Sequence, residues 1–317
     1  MVVRRKLIFV VVGLALSCLL AACTGVGART TSGDAQGEET AKEAKEEADK
    51  KKELKDTTIT VATTDGPYAL ILNEFATPLL AESRVTLKVN EFGSPEEANT
   101  ACKEGKADAA FCQRQNEFNA YDAEQQSGLV VVGPVFYKPI GVFSHKHDNL
   151  RDMPEDATIA VPNNTEERGR ALMLLHREGV LTLNDPKRLD AGIYDLAENP
   201  RFLHLREADP VELIRLLDEV DYVVFGPDTP DDTDGEAKTD PEQNTEVEES
   251  AKKPDIASAI AVEASNSYAA KQYASIVATK QDNAEDAGVM ALMEALRSPE
   301  FALFMQDEFG QELVAIG

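Results

Sequence analysis

The sequence predicts an α/β protein with two lobes, each built on a doubly wound sheet, and a cleft between them. Residues 57–112 and 140–225 each alternate short β-rich runs with segments of helical apolar spacing, a pattern typical of parallel strands joined by helices. Apolar residues make up 43% of the 317 residues, which is enough for a sizeable core. A chain of this length accommodates a two-lobed body.

The first lobe begins at Thr57, where a polar and charged segment gives way to mixed composition. Short runs rich in β-branched residues mark its strands, and apolar residues at helical spacing mark its helices. The expected order is strand 58–62, helix 68–80, strand 85–89, helix 95–104 and strand 107–112.

The second lobe repeats this alternation. Its helix over residues 166–178 has clear boundary signals, because Asn164 and Glu167 form a capping pair at its start and Gly179 suits the position just past its end. The expected order is strand 141–145, strand 158–161, the capped helix, strand 202–205, helix 210–219 and strand 222–225.

We expect the chain to cross between the lobes twice, near residues 138–139 and near residues 278–280. Residues 57–138 together with 280–317 then form the first lobe, and residues 139–279 form the second. Two such crossings make a hinge about which lobes can close on a ligand.

Residues 227–255 interrupt the pattern of the second lobe. They contain 11 acidic residues, three lysines and no aromatic residue. A segment of this composition cannot bury enough apolar surface to fold alone, so we expect a disordered acidic insertion emerging from a loop. Calcium binding is the alternative interpretation, but the D-x-[DN]-x-[DN]-G spacing of a calcium loop does not occur in this segment.

The N-terminus has the features of an export signal. Residues 1–22 contain a basic start and an apolar run that is short for a transmembrane helix. They lead into Leu20-Ala21-Ala22-Cys23, which resembles the lipobox of bacterial lipoproteins and implies a lipid on Cys23 that anchors the chain at the extracytoplasmic face of the cell membrane. An ordinary secretory signal with a chance cysteine is the alternative. Residues 23–56 are polar and charged, and we expect a flexible tether there.

The formal net charge of −25 narrows the classes of partner. Nucleic acid and anionic lipid surfaces both require clustered Lys and Arg, so the acidic surplus disfavours both. The sequence contains no nucleophile elbow, phosphate-binding loop or zinc-protease motif. An enzyme is therefore disfavoured, and we expect neither a cofactor nor a metal.

Two cysteines and two histidines are candidates for covalent or metal chemistry. Cys102 and Cys112 are expected near a helix end and far along the returning strand, which is too distant for a disulfide, so we expect two free, buried thiols. His145 and His147 share a strand face, but zinc needs two further ligands. A polar strand end is the preferred interpretation.

Several segments, in order along the chain, resemble the MetQ/NlpA family of methionine-binding lipoproteins of bacterial ABC importers. The most specific block is Ile159-Ala160-Val161-Pro162-Asn163-Asn164, followed by Arg168-Gly169-Arg170-Ala171-Leu172. Further blocks are Gly66-Pro67-Tyr68-Ala69-Leu70 and Pro139-Ile140-Gly141-Val142-Phe143-Ser144. The resemblance covers residues 59–317 apart from the acidic insertion.

The resemblance implies a type II-like periplasmic-binding-protein fold that holds an amino acid between its lobes. It also implies an ABC permease and an ATPase subunit, supplied by other chains, as partners. In the family an arginine binds the α-carboxylate of the ligand, and Arg170 matches that arginine. An arginine near a helix N-terminus suits a carboxylate. A surface Arg170 paired with Glu166 or Glu167 is the alternative.

The other pocket positions depart from the family pattern, because charged or small residues replace the aromatic, histidine and asparagine side chains around the ligand. The candidate ligand-binding residues are Arg170, Glu167, Phe111, Arg114, Gly226 and Ser275. Charged groups are costly in an apolar thioether site unless they are paired. We therefore expect a methionine-like or more polar amino acid. The alternative is a non-transporting surface lipoprotein with a degenerate pocket and an acidic interaction loop.

Overall fold

The computed structural model describes residues 56–230 and 252–316, which belong to one compact unit. The predicted signal at 1–22, Cys23, the tether up to residue 55 and the central part of the predicted insertion lie outside the described residues. Within the described ranges, no helix combines the length and apolarity needed to cross a membrane.

The first sheet has six strands in the order β13-β4-β12-β3-β1-β2. Strands β1, β2 and β3 are parallel, as predicted, whereas β12 runs antiparallel to both β3 and β4. The sheet is therefore mixed, with the late strand β12 inserted between early ones. Its strands are β1 (Thr57–Thr64), β2 (Val85–Phe92), β3 (Ala109–Arg114), β4 (Leu129–Tyr137), β12 (Ser275–Lys280) and β13 (Val314–Ala315).

Both faces of the first sheet are buried under helices. Successive side chains of a strand point to opposite faces, and in β1 Ile59 and Val61 join one apolar cluster while Ala62 joins another. Two covered faces are what a doubly wound sheet requires. The helices of this lobe are α1 (Pro67–Leu70), α2 (Thr77–Glu82), α3 (Pro95–Lys103), α4 (Gln115–Gln125), α8 (Ala287–Ala295) and α9 (Pro299–Phe309), with a 3₁₀ turn at Gln281–Asn283.

A π-helical segment, Ile71–Ala76, joins α1 to α2 within the helix predicted over residues 68–80. Pro78, in the first turn of α2, cannot donate a backbone hydrogen bond. The Thr77 backbone N–H bonds to the Leu72 carbonyl five residues back, and the Thr77 hydroxyl donates to the same oxygen at 2.8 Å. The wider turn therefore precedes a proline that cannot take part in the ordinary ladder.

The second sheet has five strands in the order β11-β5-β10-β6-β9. Strand β6 pairs in parallel with β9 and β10, and β5 runs antiparallel to β10 and β11. The strands are β5 (Gly141–Phe143), β6 (Thr158–Pro162), β9 (His204–Ala208), β10 (Tyr222–Phe225) and β11 (Ala261–Val262), with a separate hairpin of β7 (Thr182–Leu183) and β8 (Leu196–Glu198).

The helices of the second lobe are shorter than the sequence predicts, except for the capped one. Helix α5 (Thr165–Arg177) begins after Asn164, whose side chain accepts from the Glu167 backbone N–H at 2.9 Å, and Gly179 follows its end at a φ of +72°. Both boundary predictions are confirmed. The helix expected over 210–219 is divided into α6 (Pro210–Leu213) and a 3₁₀ turn, Arg215–Leu217; a further 3₁₀ turn, Ile256–Ser258, and α7 (Tyr268–Gln272) follow.

The chain returns to the first sheet earlier than the sequence suggests. The first crossing lies between β4, which ends at Tyr137, and β5, which begins at Gly141. Strand β12 pairs with β3 and β4 from Ser275 onward, so the second crossing precedes Ser275 and the expectation of residues 278–280 is wrong. The reason is that backbone pairing, which a short apolar run does not reveal, assigns the whole of β12 to the first sheet.

The described ends of the acidic segment contact one another. The Lys253 ammonium donates to the backbone oxygens of Pro227 at 2.7 Å and Thr229 at 2.9 Å, and Thr229 is buried. The prediction of disorder over 227–255 is therefore wrong for its two described ends. Lys253 thus joins the two described ends of the segment by hydrogen bonds. Residues 231–251 lie outside the described residues.

The two cysteines of the first lobe are free and buried, as predicted. The Cys102 thiol lies 3.8 Å from the Asp108 backbone oxygen, and the Cys112 thiol lies 3.8 Å from that of Pro95. Burial raises the pKa of Cys102 to about 11 and the pKa of Cys112 to about 12.

We expect both thiols to resist alkylation in the native protein. At mildly alkaline pH they remain protonated, and the thiolate is the reactive form. The same raised pKa values make the free energy of unfolding depend on pH: this contribution is intact below the ordinary thiol pKa of about 8.5 and is lost as the pH rises towards 11.

The alkylation prediction is checked by labelling the native and the denatured protein. Mass spectrometry of the Cys102 and Cys112 peptides should show labelling only after denaturation. Rapid native labelling of either peptide would contradict their burial.

Candidate functional site

A cavity of about 550 Å³ lies between the two lobes and is lined from both of them. Residues near the ends of the first-sheet strands and from the helices beside them form one side: Pro67, Tyr68, Arg114, Glu117, Phe136 and Ser275. Crossing segments and second-lobe residues form the other side: Lys138, Asn164, Glu166, Glu167, Asp228 and Tyr273. A cavity between two lobes is a common location for a small-molecule site.

Aromatic rings form the first-lobe wall of this cavity. The Tyr68 ring lies 5.6 Å from Phe136 and meets Phe111 edge to face at 5.1 Å. Phe111 itself has no exposed surface and does not line the cavity. The expectation that Phe111 offers a ring to the ligand is therefore corrected: it supports the two rings that do line the cavity, because its position on β3 points it into the core.

Ser275 lines the cavity, as its predicted role requires. It is the first residue of β12, and its hydroxyl oxygen lies 3.1 Å from the hydroxyl of Tyr68. Burial raises the pKa of Tyr68 to about 12, so the phenol remains neutral at physiological pH. The pair offers an uncharged hydrogen-bonding group beside the aromatic wall.

Arg114 also lines the cavity and is held by Glu117 from the first turn of α4. The Arg114 Nη2 and Nε atoms lie 2.7 and 3.0 Å from Glu117 Oε1, and its backbone N–H donates to Glu117 Oε2 at 2.9 Å. Both residues are at the position where β3 becomes α4. Each charge is thus paired, which offsets the cost of placing it beside an aromatic wall.

The N-terminus of α5 brings two carboxylates to the second-lobe wall. Glu166 Oε1 accepts from Asn116 Nδ2 of the first lobe at 3.0 Å and lies 3.6 Å from Arg114 Nη1. Glu167 Oε2 accepts from the side chain of Asn164 at 2.7 Å. The predicted residue Glu167 therefore lies in the cavity, and its unpredicted neighbour Glu166 connects the two lobes.

Arg170 does not line the cavity, which corrects its predicted exposure to the cleft. It is 7% exposed and forms a buried ion pair with Glu263, which is 3% exposed. The Arg170 Nε atom lies 3.1 and 3.2 Å from the two Glu263 carboxylate oxygens, and Nη2 binds Glu263 as well. The alternative, pairing with Glu166 or Glu167, is also wrong; the partner lies 93 residues away.

The same guanidinium connects both crossing segments. Arg170 Nη2 donates to the Lys138 backbone oxygen at 2.5 Å, and the Arg170 Cζ atom lies 5.1 Å from the centre of the Tyr273 ring. The Tyr137 hydroxyl donates to the Glu263 backbone oxygen at 2.8 Å. The second-lobe helix is therefore joined to the hinge by a buried charge, which the sequence reveals only if Glu263 is known to lie beside it.

Gly226 lies outside the interlobe cavity and lines a second one of about 370 Å³. A Cβ added to Gly226 would lie 2.8 Å from the Ile140 side chain, so Gly226 is required for packing against the first crossing. The prediction that Gly226 contacts the ligand of the cleft is not supported by its position.

Several residues that line the cavity were not predicted from the sequence, because no motif marks their individual positions. Lys138 forms an ion pair with Asp228 at 2.5 Å, and Tyr273 lies where a crossing segment reaches the cavity. Tyr68 could have been identified from the sequence, because it belongs to the Gly66-Pro67-Tyr68 block that resembles the family. Lys138 adjoins a predicted crossing, which was the available clue for that residue.

The histidine pair is outside this site. His145 and His147 follow the end of β5 at Phe143, where the predicted strand stops two residues early. His145 Nδ1 lies 2.7 Å from Asp218 and His147 Nε2 lies 3.2 Å from Asp221, while the His147 ring stacks on Tyr222. Each imidazole has its own carboxylate partner at the polar end of the strand.

A family model described as NlpA lipoprotein matches residues 59–316 of the chain. The methionine-binding lipoprotein MetQ of Bacillus subtilis (strain 168) is 29% identical over 263 residues, which cover 79% of this chain and 85% of that protein. A probable D-methionine-binding lipoprotein MetQ of Pasteurella multocida is 32% identical over 167 residues. That match covers 53% of this chain and 60% of the Pasteurella protein, less than two thirds of its length.

Solved structures of similar proteins share the fold. A putative methionine-binding lipoprotein from Bacillus subtilis superposes with a TM-score of 0.51 at 28% identity, covering 82% of this chain and 98% of that one. A YaeC-family lipoprotein from Enterococcus faecalis V583 gives a TM-score of 0.59 at 24% identity, covering 83% and 100%. At that identity the Enterococcus structure supports the fold alone.

Proposed function

Since the chain belongs to the NlpA lipoprotein family, we propose that it is a membrane-anchored solute-binding lipoprotein of an ABC importer and binds an amino acid between its lobes. The observation that carries the proposal is the cavity of about 550 Å³, whose lining comes from both lobes and from the crossings between them. A ligand held there contacts both lobes at once, so its binding favours their closed arrangement.

The walls suit the two parts of an amino acid. Tyr68, backed by the buried ring of Phe136, offers apolar ring surface to a side chain, which gains about 25 cal/mol per Å² of buried apolar area. Glu166 and Glu167 offer acceptors to an α-ammonium group, and Arg114 offers the guanidinium nearest to them for an α-carboxylate. This assigns Arg114 the role that sequence reasoning gave to Arg170.

Membership of the family supports the anchor and the partners in this proposal. Relatives carry the names of membrane or methionine-binding lipoproteins, and in this proposal the lipid is attached to Cys23 after removal of residues 1–22. The chain then delivers its ligand to a permease and an ATPase subunit encoded separately. The ligand is methionine-like or more polar, because the cavity combines its rings with six charged side chains.

A second candidate function is a non-transporting surface lipoprotein that keeps the scaffold. The observation in its favour is that carboxylates of the protein already bind Arg114, Lys138 and Arg170. An anionic group of a ligand then has to displace a protein carboxylate, which lowers affinity. In that case the acidic segment, of which residues 231–251 lie outside the described ranges, serves as the interaction element.

Thermal unfolding of the purified protein with each amino acid tests the proposal. A ligand at 100 times its Kd stabilises the folded state by about 2.7 kcal/mol, which raises the melting temperature by about 5–10 °C for a body of this size. We expect Arg114→Gln to abolish the shift. Arg206→Gln is the matched control, because Arg206 forms an exposed pair with Glu219 away from the cavity. A cooperatively unfolding protein that no amino acid stabilises would establish the second candidate instead.

A further inference from the structure

We propose that the ligand of the interlobe cavity carries a net positive charge and is a basic amino acid such as L-lysine or L-arginine. The inference rests on the proposed function, because it names the chemical class of ligand for the same cavity. It follows from the balance of charges, hydrogen-bond acceptors and aromatic rings in the walls.

The described lining residues are acidic in balance. Glu117, Glu166, Glu167 and Asp228 supply four carboxylates, while Arg114 and Lys138 supply two cations, which leaves a formal charge of −2. A zwitterion such as methionine leaves that charge unchanged, whereas lysine reduces it to −1. The chain as a whole carries −25, so its field also attracts cations.

Both cations of the lining are already bound by carboxylates of the protein. Arg114 pairs with Glu117 at 2.7 Å, and Lys138 pairs with Asp228 at 2.5 Å. Each of these two ion pairs has no net charge, so Glu166 and Glu167 carry the surplus negative charge of the cavity. An additional anionic group on the ligand would meet like charge, which costs affinity.

The two glutamates have acceptor atoms to spare. Glu166 uses Oε1 for Asn116 and Arg114, and Glu167 uses Oε2 for Asn164. Among the described residues, no protein donor reaches Glu166 Oε2 or Glu167 Oε1, and the buried Asn116 Oδ1 atom beside Glu166 has no partner either. The Glu166 side chain is 43% exposed, so water can bind its free oxygen and a ligand donor can replace that water. Ammonium and guanidinium groups suit this exchange because they are donors only.

The opposite wall suits the stem of the same ligand. Lysine and arginine side chains bury their methylene groups along apolar surface while the charged head reaches a polar partner. Tyr68 presents such a surface, supported from behind by Phe136, and an aromatic ring attracts a nearby cation by about 0.5–2 kcal/mol. One ligand can therefore satisfy the rings and the carboxylates together.

Isothermal titration of the full chain in a non-ionic detergent with L-lysine and L-norleucine tests the inference. The two ligands differ only in the terminal ammonium group. A charge-assisted hydrogen bond contributes about 1.5–3 kcal/mol, so we expect lysine to bind at least about 10-fold more tightly than norleucine. Raising the salt from about 0.01 M to about 0.15 M should weaken lysine binding more than norleucine binding, because only lysine carries a net charge into the acidic cavity.

Isosteric variants locate the charge. Lysine brings two ammonium groups to the two carboxylates and norleucine brings only its α-ammonium group. We therefore expect the double variant Glu166→Gln/Glu167→Gln to raise the Kd for lysine at least about 10-fold more than the Kd for norleucine. Glu178→Gln removes the same charge from the other end of α5 and should leave both values unchanged. The comparison of two ligands within one variant separates a loss of charge recognition from a loss of folding.

Two results would overturn the inference. Norleucine or methionine binding as tightly as lysine would reject a cationic ligand while leaving the proposed function in place. Failure of every amino acid to bind a cooperatively folded protein would reject the proposed function and this inference together.

Discussion

Replacing Glu263 by alanine should lower the free energy of unfolding by about 3–5 kcal/mol, because it leaves the buried guanidinium of Arg170 without its carboxylate. For a body of this size the melting temperature should fall by about 10 °C. Chemical denaturation of wild type and variant measures the effect. The loss is large because Arg170 cannot discharge and, at 7% exposure, cannot reach water without moving α5 away from both crossings.

Two further variants test whether the loss of stability comes from the unpaired charge of Arg170. Glu219→Ala removes a carboxylate that lies 3.0 Å from Arg206 on the surface, and it should cost less than about 1 kcal/mol. The double variant Arg170→Met/Glu263→Leu should lose less stability than Glu263→Ala alone, since it leaves no unpaired charge. A Glu263→Ala protein as stable as wild type would show that the pair has no structural role.

Phe111→Ala should cost about 3–5 kcal/mol of stability, the range for truncating a buried phenylalanine. The substitution removes the ring against which Tyr68 packs at 5.1 Å and Phe136 at 6.0 Å. If Phe111 were a ligand residue, as the sequence suggests, the same change would lower affinity and leave stability nearly unchanged. Denaturation curves together with ligand titration distinguish the two roles.

The control for Phe111 is Tyr194→Ala. The Tyr194 side chain is 93% exposed, so its truncation should change stability by less than about 0.5 kcal/mol. A small effect of Phe111→Ala on stability, similar to that of the control, would contradict the position of Phe111 in the core and restore it as a candidate contact to the ligand.

The parallel strands β1, β2 and β3 and the helices between them could be predicted because their signals are local. β-branched runs located β1 and β2, and Ser94 followed by Pro95 marks the start of α3. Helix α4 and strand β4 escaped prediction. The few apolar residues of α4 do not form one helical face, and β4 contains Gly133 and Pro134, which are unfavourable inside strands.

The candidate site could be predicted only in part. Arg114, Glu167 and Ser275 were identified from sequence and line the cavity, because motif positions indicate which stretches of chain reach the cleft. Phe111, Arg170 and Gly226 were also identified, but they face the core, a buried partner and the first crossing. One-residue differences in strand or helix phase decide between these outcomes, and sequence spacing does not fix that phase well enough.

By itself, the sequence determined the two-lobed α/β class, the capped helix α5, the family and the acidic character of the chain. These properties depend on composition, periodicity and short motifs, which act over a few residues. The tertiary structure alone decided that β12 joins the first sheet, that Glu263 holds Arg170 and that Glu166 faces Arg114 across the cavity. The residues that meet in these contacts are separated in the sequence by between 52 and more than 160 positions. Their formation depends on the packing of whole elements, in which charge partners are chosen by burial and geometry.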